Sequence, residues 1–266
     1  MKRLIFSLTT VAAMFAGCQK PELVEPEVKN LSFEATVEEF DTQTKTSLTP
    51  ENYVVWSAGD RLAIFQGSVV ADEFLLAEGC AGQNKGTFDL VEDNSAVNGS
   101  FSAGTEPPCN VAFYPYSEGL NLTGDMEGKN AAYVLSNVVL PATQVHVANS
   151  FSNGSFPMVA VSESMGTHKL KFKNVLGAVK LSLKGTQTVK SIKIEGANGE
   201  RLSGAATVTA YSNNLPPVIT MTGSDEASKS VTLDCCDGVQ LNEAVATNFY
   251  ISLPPVLFEK GFKVVV

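Results

Sequence analysis

Basic residues are scarce in this chain. Its 266 residues include 19 Lys and Arg against 28 Asp and Glu, which gives a formal net charge of −9. Positive charge is concentrated only in residues 1–3 and in a set of Lys-bearing strands near 169–193. Because clustered Lys and Arg bind nucleic-acid phosphates, this charge balance argues against a nucleic-acid partner.

Residue types that perform catalysis are also few. The only two histidines, His146 and His168, fall in different predicted domains, and neither lies near a Ser or Cys nucleophile motif. The sequence has no G-x-S-x-G, phosphate loop, dinucleotide fingerprint or calcium-loop spacing. We therefore predict no enzyme activity, no catalytic residue, no metal site and no cofactor, although the loop carboxylates at 124–128 could hold a cation weakly.

No cysteine lies in a metal-type spacing. Beside Cys18 the chain has Cys80, Cys109, Cys235 and Cys236, and an exported protein could pair them in disulfides. Successive side chains of a strand point to opposite faces, so Cys235 and Cys236 cannot easily share one partner. Disulfides and buried free thiols both remain open.

The N-terminus is typical of an export signal. Two basic residues precede an apolar stretch over 4–15, which is too short to span a bilayer as a helix. The following Phe15-Ala16-Gly17-Cys18 is similar to the cleavage motif of bacterial lipoproteins. That resemblance implies a signal peptide over 1–17, cleavage between Gly17 and Cys18, and acylation of Cys18, whose acyl chains would hold the protein at a membrane. An ordinary signal peptide with an unrelated cysteine is the alternative.

Residues 18–30 form the predicted tether. Pro21 and Pro26 favour an extended backbone, and three glutamates keep the segment solvated. An acidic patch directly after a lipid-bearing cysteine is similar to the surface-export signals of Bacteroidota lipoproteins.

The rest of the chain consists of short apolar or alternating segments separated by turn residues. No segment keeps a helical period over three turns, and a strand spacing of about 8–12 residues favours an all-β sandwich fold. The polar stretch Ser162–His168 predicts a boundary between an N-terminal domain, 31–165, and a C-terminal domain, 166–266. The run ending at Val266 has no polar tail, so we expect this second domain to be incomplete. Strands are predicted over 31–37, 72–76, 86–90, 110–117, 133–140, 156–161, 169–175, 178–183, 189–195, 206–209, 218–221, 230–233, 249–253 and 262–266, and a polar loop is predicted over 121–129.

The stretch Tyr53–Phe65 predicts a β-hairpin. Two apolar runs flank Ser57-Ala58-Gly59-Asp60, whose residue types favour a turn. The single tryptophan, Trp56, lies at the bend, where we expect it to anchor the core; stacking against a ligand is the alternative.

Eight segments of the chain together form one pattern: TKTSL at 44–48, VVWSAGDRLAIF at 54–65, VAFYPYS at 111–117, LPATQ at 140–144, FKNVLGAVKLSLKG at 172–185, VKSIKIEG at 189–196, LSG at 202–204 and YISLPP at 250–255. In this order, after a lipoprotein signal, they resemble the fimbrillin-like lipoproteins of Bacteroidales. The resemblance covers nearly all of the chain after the signal. It implies two tandem transthyretin-like β-sandwich domains, displayed at the outer membrane as a fimbrial (type V pilus) subunit.

The resemblance also implies a maturation step. In that family a trypsin-like protease cuts after Arg or Lys in an N-terminal loop, the first strand leaves, and a strand of another subunit fills the groove. Here the departing strand would be Leu31–Val37 and the cleaved residue Lys45. Lys29 precedes that strand, so cleavage there would not expose the groove. Arg61 begins the next strand, so cleavage there would cut the predicted hairpin. The alternative for Lys45 is an ordinary solvated loop lysine.

Two functions follow as hypotheses. The first is a structural or adhesive fimbrial subunit whose partners are other fimbrial subunits. The second is a surface lipoprotein that does not polymerise and binds a glycan or host protein, for which exposed aromatics such as Tyr114 or Tyr116 would be suited.

Overall fold

The computed structural model describes residues 31–38, 54–92, 109–125 and 131–266. The predicted signal peptide and tether lie outside these residues, among which no helix has the length and apolar character to cross a membrane. The described residues form seventeen strands and a short 3₁₀ helix, Glu226–Lys229. The strands are β1 (Ser32–Val37), β2 (Arg61–Phe65), β3 (Asp72–Leu76), β4 (Lys85–Glu92), β5 (Val111–Tyr114), β6 (Asn121–Asp125), β7 (Ala132–Leu140), β8 (Thr143–Val145), β9 (Met158–Val161), β10 (Lys169–Asn174), β11 (Gly177–Leu183), β12 (Thr188–Gly196), β13 (Gly204–Tyr211), β14 (Val218–Met221), β15 (Ser230–Gln240), β16 (Thr247–Leu253) and β17 (Phe262–Val265).

Seven of these strands close into a barrel. Each strand hydrogen-bonds to the next in the order β1-β10-β9-β5-β2-β3-β4, and β4 pairs with β1 to complete the ring. Side chains alternate between the two faces of a strand, so the apolar positions of β1 all enter the interior, where Phe33, Ala35 and Val37 are at most 2% exposed. Closure leaves none of the seven strands at a sheet edge.

A four-stranded antiparallel sheet, β14-β13-β7-β6, covers one outer side of the barrel. Outward-facing side chains of β2, β5 and β9 pack against it in a shared apolar cluster. The largest buried side chains of this cluster include Phe65 and Tyr133, which are both fully shielded from solvent. This contact holds the sheet against the barrel face to face, as in a sandwich.

The remaining strands form a separate core. The four-stranded sheet β17-β12-β15-β8 and the two-stranded sheet β11-β16 contribute to one apolar cluster that includes Ile192, Ile194, Val231, Phe249 and Ile251. The all-β class predicted from the sequence is therefore confirmed, with several sheets packed around apolar cores.

Two strands were missed by the sequence analysis. Within the predicted polar loop over 121–129, Asn121–Asp125 pairs with β7 and Leu122 is completely buried. The three-residue β8 pairs with β15 alone. Both segments are short and mostly polar, and their strand conformation comes from the neighbouring strand rather than from their own pattern.

The predicted hairpin over Tyr53–Phe65 is wrong, although its turn is present. Residues 54–57 form no strand, because the backbone of Trp56 bonds to the β3–β4 connection: its N–H donates to the Gln83 carbonyl, and its carbonyl accepts from the Gly82 N–H, each at 2.8 Å. The prediction that Trp56 anchors the core is confirmed, since its side chain is 1% exposed.

Strand pairing crosses the boundary predicted after residue 165. The polar stretch Ser162–His168 connects β9 to β10 within the barrel, and β10 lies beside β1. The later strands β13 and β14 complete the sheet of β6 and β7, whereas β8 joins the second core through β15. The barrel and the second core therefore each draw on strands from both sides of this position.

A buried carboxylate fixes the turn before β2. Asp60 is 7% exposed and accepts hydrogen bonds from the Ser57 N–H at 2.7 Å and from the Tyr114 hydroxyl at 3.0 Å. Burial raises the pKa of Asp60, although both hydrogen bonds oppose the shift. Burial also raises the pKa of Tyr114, so its hydroxyl stays a neutral donor to the carboxylate.

Replacing Tyr114 by Phe should destabilise the fold by about 1.5–3 kcal/mol at pH 7, because it removes a hydrogen bond to a buried charged group. The pKa of Asp60 is higher in the folded state than in the unfolded state. The contribution of Asp60 to the free energy of unfolding therefore falls as pH rises through the interval between these two pKa values. Below the interval Asp60 is protonated in both states, and the loss caused by Tyr114→Phe should be smaller. Urea unfolding at pH 7 and pH 3 measures both. The same substitution in an Asp60→Asn background is the control, and an equal loss at both pH values would contradict the assignment.

Candidate functional site

β1 is the strand that completes the barrel. It pairs antiparallel with β4 on one side and parallel with β10 on the other. Two further backbone hydrogen bonds extend these pairings: the Val37 N–H donates to the carbonyl of Asn84, just before β4, and the N–H of Glu38, just after β1, donates to the Phe172 carbonyl, each at 2.9 Å. One short strand thus satisfies the backbone groups of two neighbouring sheet edges.

The inward side chains of β1 fill an aromatic interior. We call the space between β4 and β10 that β1 occupies the first-strand slot. Phe33 meets the ring of Phe74 edge to face, with 5.2 Å between ring centroids. The Trp56 indole N–H donates to the Ala35 carbonyl at 3.3 Å. The interior of the slot also contains Phe88 and Phe172, which are completely buried.

The outward side of β1 is polar. Glu34 forms an ion pair with Lys85 at 2.8 Å, and this hydrogen bond lowers the pKa of the Glu34 carboxyl, with a smaller contribution from the charge of Lys169. Both partners of the ion pair are exposed, and such surface pairs contribute little to stability. β1 is therefore held mainly by its two backbone edges and its one apolar face.

The residues predicted for export and maturation fall in the undescribed parts of the chain. Gly17 and Cys18, the predicted cleavage and lipidation residues, lie outside the described residues, and so does Lys45. What the structure does describe is the strand that precedes Lys45. The sequence pattern predicts this strand but not its pairing with β10, which the predicted boundary places in the other domain.

The histidines lie in different environments. The ring of His168 lies 4.7 Å from that of Phe33 in the barrel, and the ring of His146 lies 5.1 Å from that of Phe249 in the second core, where burial lowers the pKa of His146. Within the described ranges, no three or more His, Cys, Asp or Glu side chains form a group that could hold a metal ion.

The four described cysteines are free thiols. Cys235 is buried and Cys236 is exposed, so these neighbours do point to opposite faces of β15. Burial raises the pKa of Cys235, so a smaller fraction of this thiol is ionised to the reactive thiolate.

The expectation of exposed aromatic side chains at the Tyr-Pro-Tyr segment is wrong for Tyr114. This residue is 8% exposed, and its hydroxyl is bonded to Asp60. Tyr116 is half-buried and packs against the apolar cluster under the outer sheet. A strand that alternates between two packed layers buries both faces, which its sequence pattern alone does not reveal.

Comparisons with known proteins gave little similarity. No protein-family model matches the chain, and no curated protein matches it. A solved structure of a candidate adhesin from Bacteroides ovatus has 12% sequence identity and a TM-score of 0.24, over 92% of this chain and 75% of that one.

Truncating Phe33 should show how strongly the slot holds β1. Phe33→Ala removes a fully buried ring from the barrel interior and should cost about 3–5 kcal/mol of unfolding free energy. Thr36→Ala on the outer face of the same strand is the matched control, with an expected effect within about 1 kcal/mol. Urea unfolding measures both variants. Equal losses would show that the apolar face of β1 is not what holds it in place.

Proposed function

We propose that this chain is a non-enzymatic structural or adhesive subunit of surface fimbriae, of the fimbrillin-like type, which assembles by strand exchange. The observation that carries the proposal is the first-strand slot. β1 pairs with β4 along one edge and with β10 along the other, and its apolar face packs in the barrel interior.

Loss of β1 would create a strong binding site for another strand. Its departure would leave the facing edges of β4 and β10 unpaired and open the aromatic interior to water. Unpaired edges beside an apolar groove are the features that β-augmentation uses, because main-chain hydrogen bonds supply affinity and pockets for alternate side chains supply specificity. An incoming strand from another subunit would restore both.

The position of Lys45 suits this proposal. It follows β1 in the sequence and precedes the turn that leads to β2, so cleavage after it would detach β1 from the rest of the barrel. Cleavage after Lys29 would leave β1 in place. Arg61 is the first residue of β2 and is paired with Glu73 through its guanidinium, so cleavage there would require β2 to open.

The chain itself contains a segment with the side-chain spacing that the slot accepts. β1 inserts Phe33, Ala35 and Val37 at alternate positions, and the final residues 262–266, FKVVV, offer a Phe and two Val in the same alternation. β17, which begins this segment, is exposed along its length and pairs with β12 alone. We propose that this segment of one subunit is a candidate donor for the slot of another.

Export as a lipoprotein completes the proposal. Acylation of Cys18 would anchor the precursor to the outer membrane, and the acidic tether would space the barrel from the bilayer. The alternative is a lipoprotein that binds a glycan or host protein without polymerising. The observation that suits that alternative is a cleft lined by three lysines on the outer side of β10, because such a cleft can bind a ligand without strand exchange.

Trypsin treatment tests the strand-exchange proposal. The purified precursor should lose a fragment that ends at Lys45, leaving a product whose N-terminus begins at Thr46, and the product should then form ladders on an unheated denaturing gel. Lys45→Ala should abolish both the cleavage and the ladders, whereas the matched Lys29→Ala variant should retain both. A product that is cleaved after Lys45 but stays strictly monomeric would count heavily against strand exchange.

A peptide experiment tests the donor segment. A synthetic peptide of residues 258–266 should bind the trypsin-cleaved product and suppress ladder formation, and a peptide of residues 31–38 should do the same by refilling the slot. A scrambled 258–266 peptide is the control. If only the 31–38 peptide suppressed the ladders, residues 262–266 would not be the donor.

A further inference from the structure

A positively charged cleft of about 480 Å³ lies on the outer side of β9 and β10. Leu170 and Phe172 point into the barrel and are at most 1% exposed, so the alternation of β10 turns Lys169, Lys171 and Lys173 outward, where all three line the cleft. Successive lysines lie roughly 7 Å apart along the strand. In a chain with a net charge of −9 this is a local reversal of sign.

Two of these lysines carry charge that is not neutralised. Lys169 and Lys171 are exposed and form no ion pair among the described residues. Glu34 lies opposite Lys169 on β1, but its ion pair is made with Lys85. Of the residues that the structure describes, one carboxylate, that of Glu163, lines the cleft against three ammonium groups. A concave surface with an excess of one charge attracts ligands of the opposite charge.

Both walls of the cleft are held by specific hydrogen bonds. The β9–β10 loop is tied down by Asn110, which is 1% exposed and donates from its side-chain amide to the carbonyls of Met165 at 3.0 Å and Thr167 at 3.1 Å. On the other side the Lys173 ammonium donates to the Asn214 carbonyl in the turn between β13 and β14. A binding surface that is ordered before the ligand arrives avoids the entropic cost of ordering it.

We infer that this cleft binds an acidic oligosaccharide, with Lys169 and Lys171 contacting the anionic groups of the sugar. The hydroxyl of Thr167 and the amide of Asn214 supply polar groups for sugar hydroxyls, and Tyr211 supplies an aromatic surface. The hydroxyl, amide and aromatic groups of the lining favour a sugar over an acidic peptide, whose binding the hexaglutamate probe tests. A volume of this size suits a small ligand of a few rings.

Binding of defined oligosaccharides to the uncleaved full chain tests the inference. The probes are hexagalacturonate and a heparin-derived hexasaccharide, with neutral maltohexaose and a hexaglutamate peptide as comparisons, each titrated calorimetrically at low and high salt. At least one acidic hexasaccharide should bind saturably and more weakly at high salt, and the neutral sugar should not bind. Lys169→Gln/Lys171→Gln should reduce the affinity about tenfold, while Lys173 is kept because it holds the turn.

A matched variant separates the cleft from overall charge. Lys180→Gln/Lys260→Gln removes the same two charges from β11 and from the turn before β17 and should leave the affinity unchanged, and thermal unfolding should show that both double variants fold. Equal losses in the two double variants, or no saturable binding of either acidic hexasaccharide, would overturn the inference. Preferential binding of hexaglutamate would overturn the assignment to sugars. Because the uncleaved monomer is used, the result is independent of strand exchange.

Discussion

The structure depends on one short strand that satisfies two sheet edges at once. β1 pairs with β4 and β10 in opposite senses, antiparallel on one side and parallel on the other, and places three apolar side chains in the middle of an aromatic interior. A closed barrel has no unpaired sheet edge, but this holds only while the strand that completes the ring stays in place. The outer sheet packs against the opposite strands β2, β5 and β9 and does not cover β1.

β10 connects the two functional proposals. Its inward side chains belong to the barrel interior, one of its edges binds β1, and its outward lysines line the cleft. The two uses engage different parts of the strand, because strand exchange acts in the plane of the sheet whereas ligand binding acts perpendicular to it. A fimbrial subunit could therefore hold a ligand in the cleft while its slot is occupied by a neighbour.

The sequence was sufficient for the parts of the fold that depend on local pattern. The alternation of Phe33, Ala35 and Val37 predicts β1 and its buried face, and the lysine alternation of β10 predicts a strand with one solvated side. Pairing between distant strands is not encoded locally, so the neighbourhood of β1 and β10 could not be predicted, and neither could the strand conformation of Asn121–Asp125. The turn at Ser57–Asp60 was recognisable from its residue types, but the loop that pairs with Trp56 was not. The lysines were visible as a basic set, whereas one wall of the cleft, the turn between β13 and β14, lies 41 residues further along the chain at Asn214.

The parallel pairing of β1 with β10 has a consequence for the order of folding. β1 ends at Val37 and β10 begins at Lys169, so about 130 residues separate the two strands. During synthesis the ring cannot close until this long stretch has emerged, and contacts of such large sequence separation form slowly. Throughout that period the nascent chain has an incomplete sheet with open edges, to which strands of other molecules could add. Correct folding of this protein thus requires that β10 pair with β1 before a strand of another molecule does.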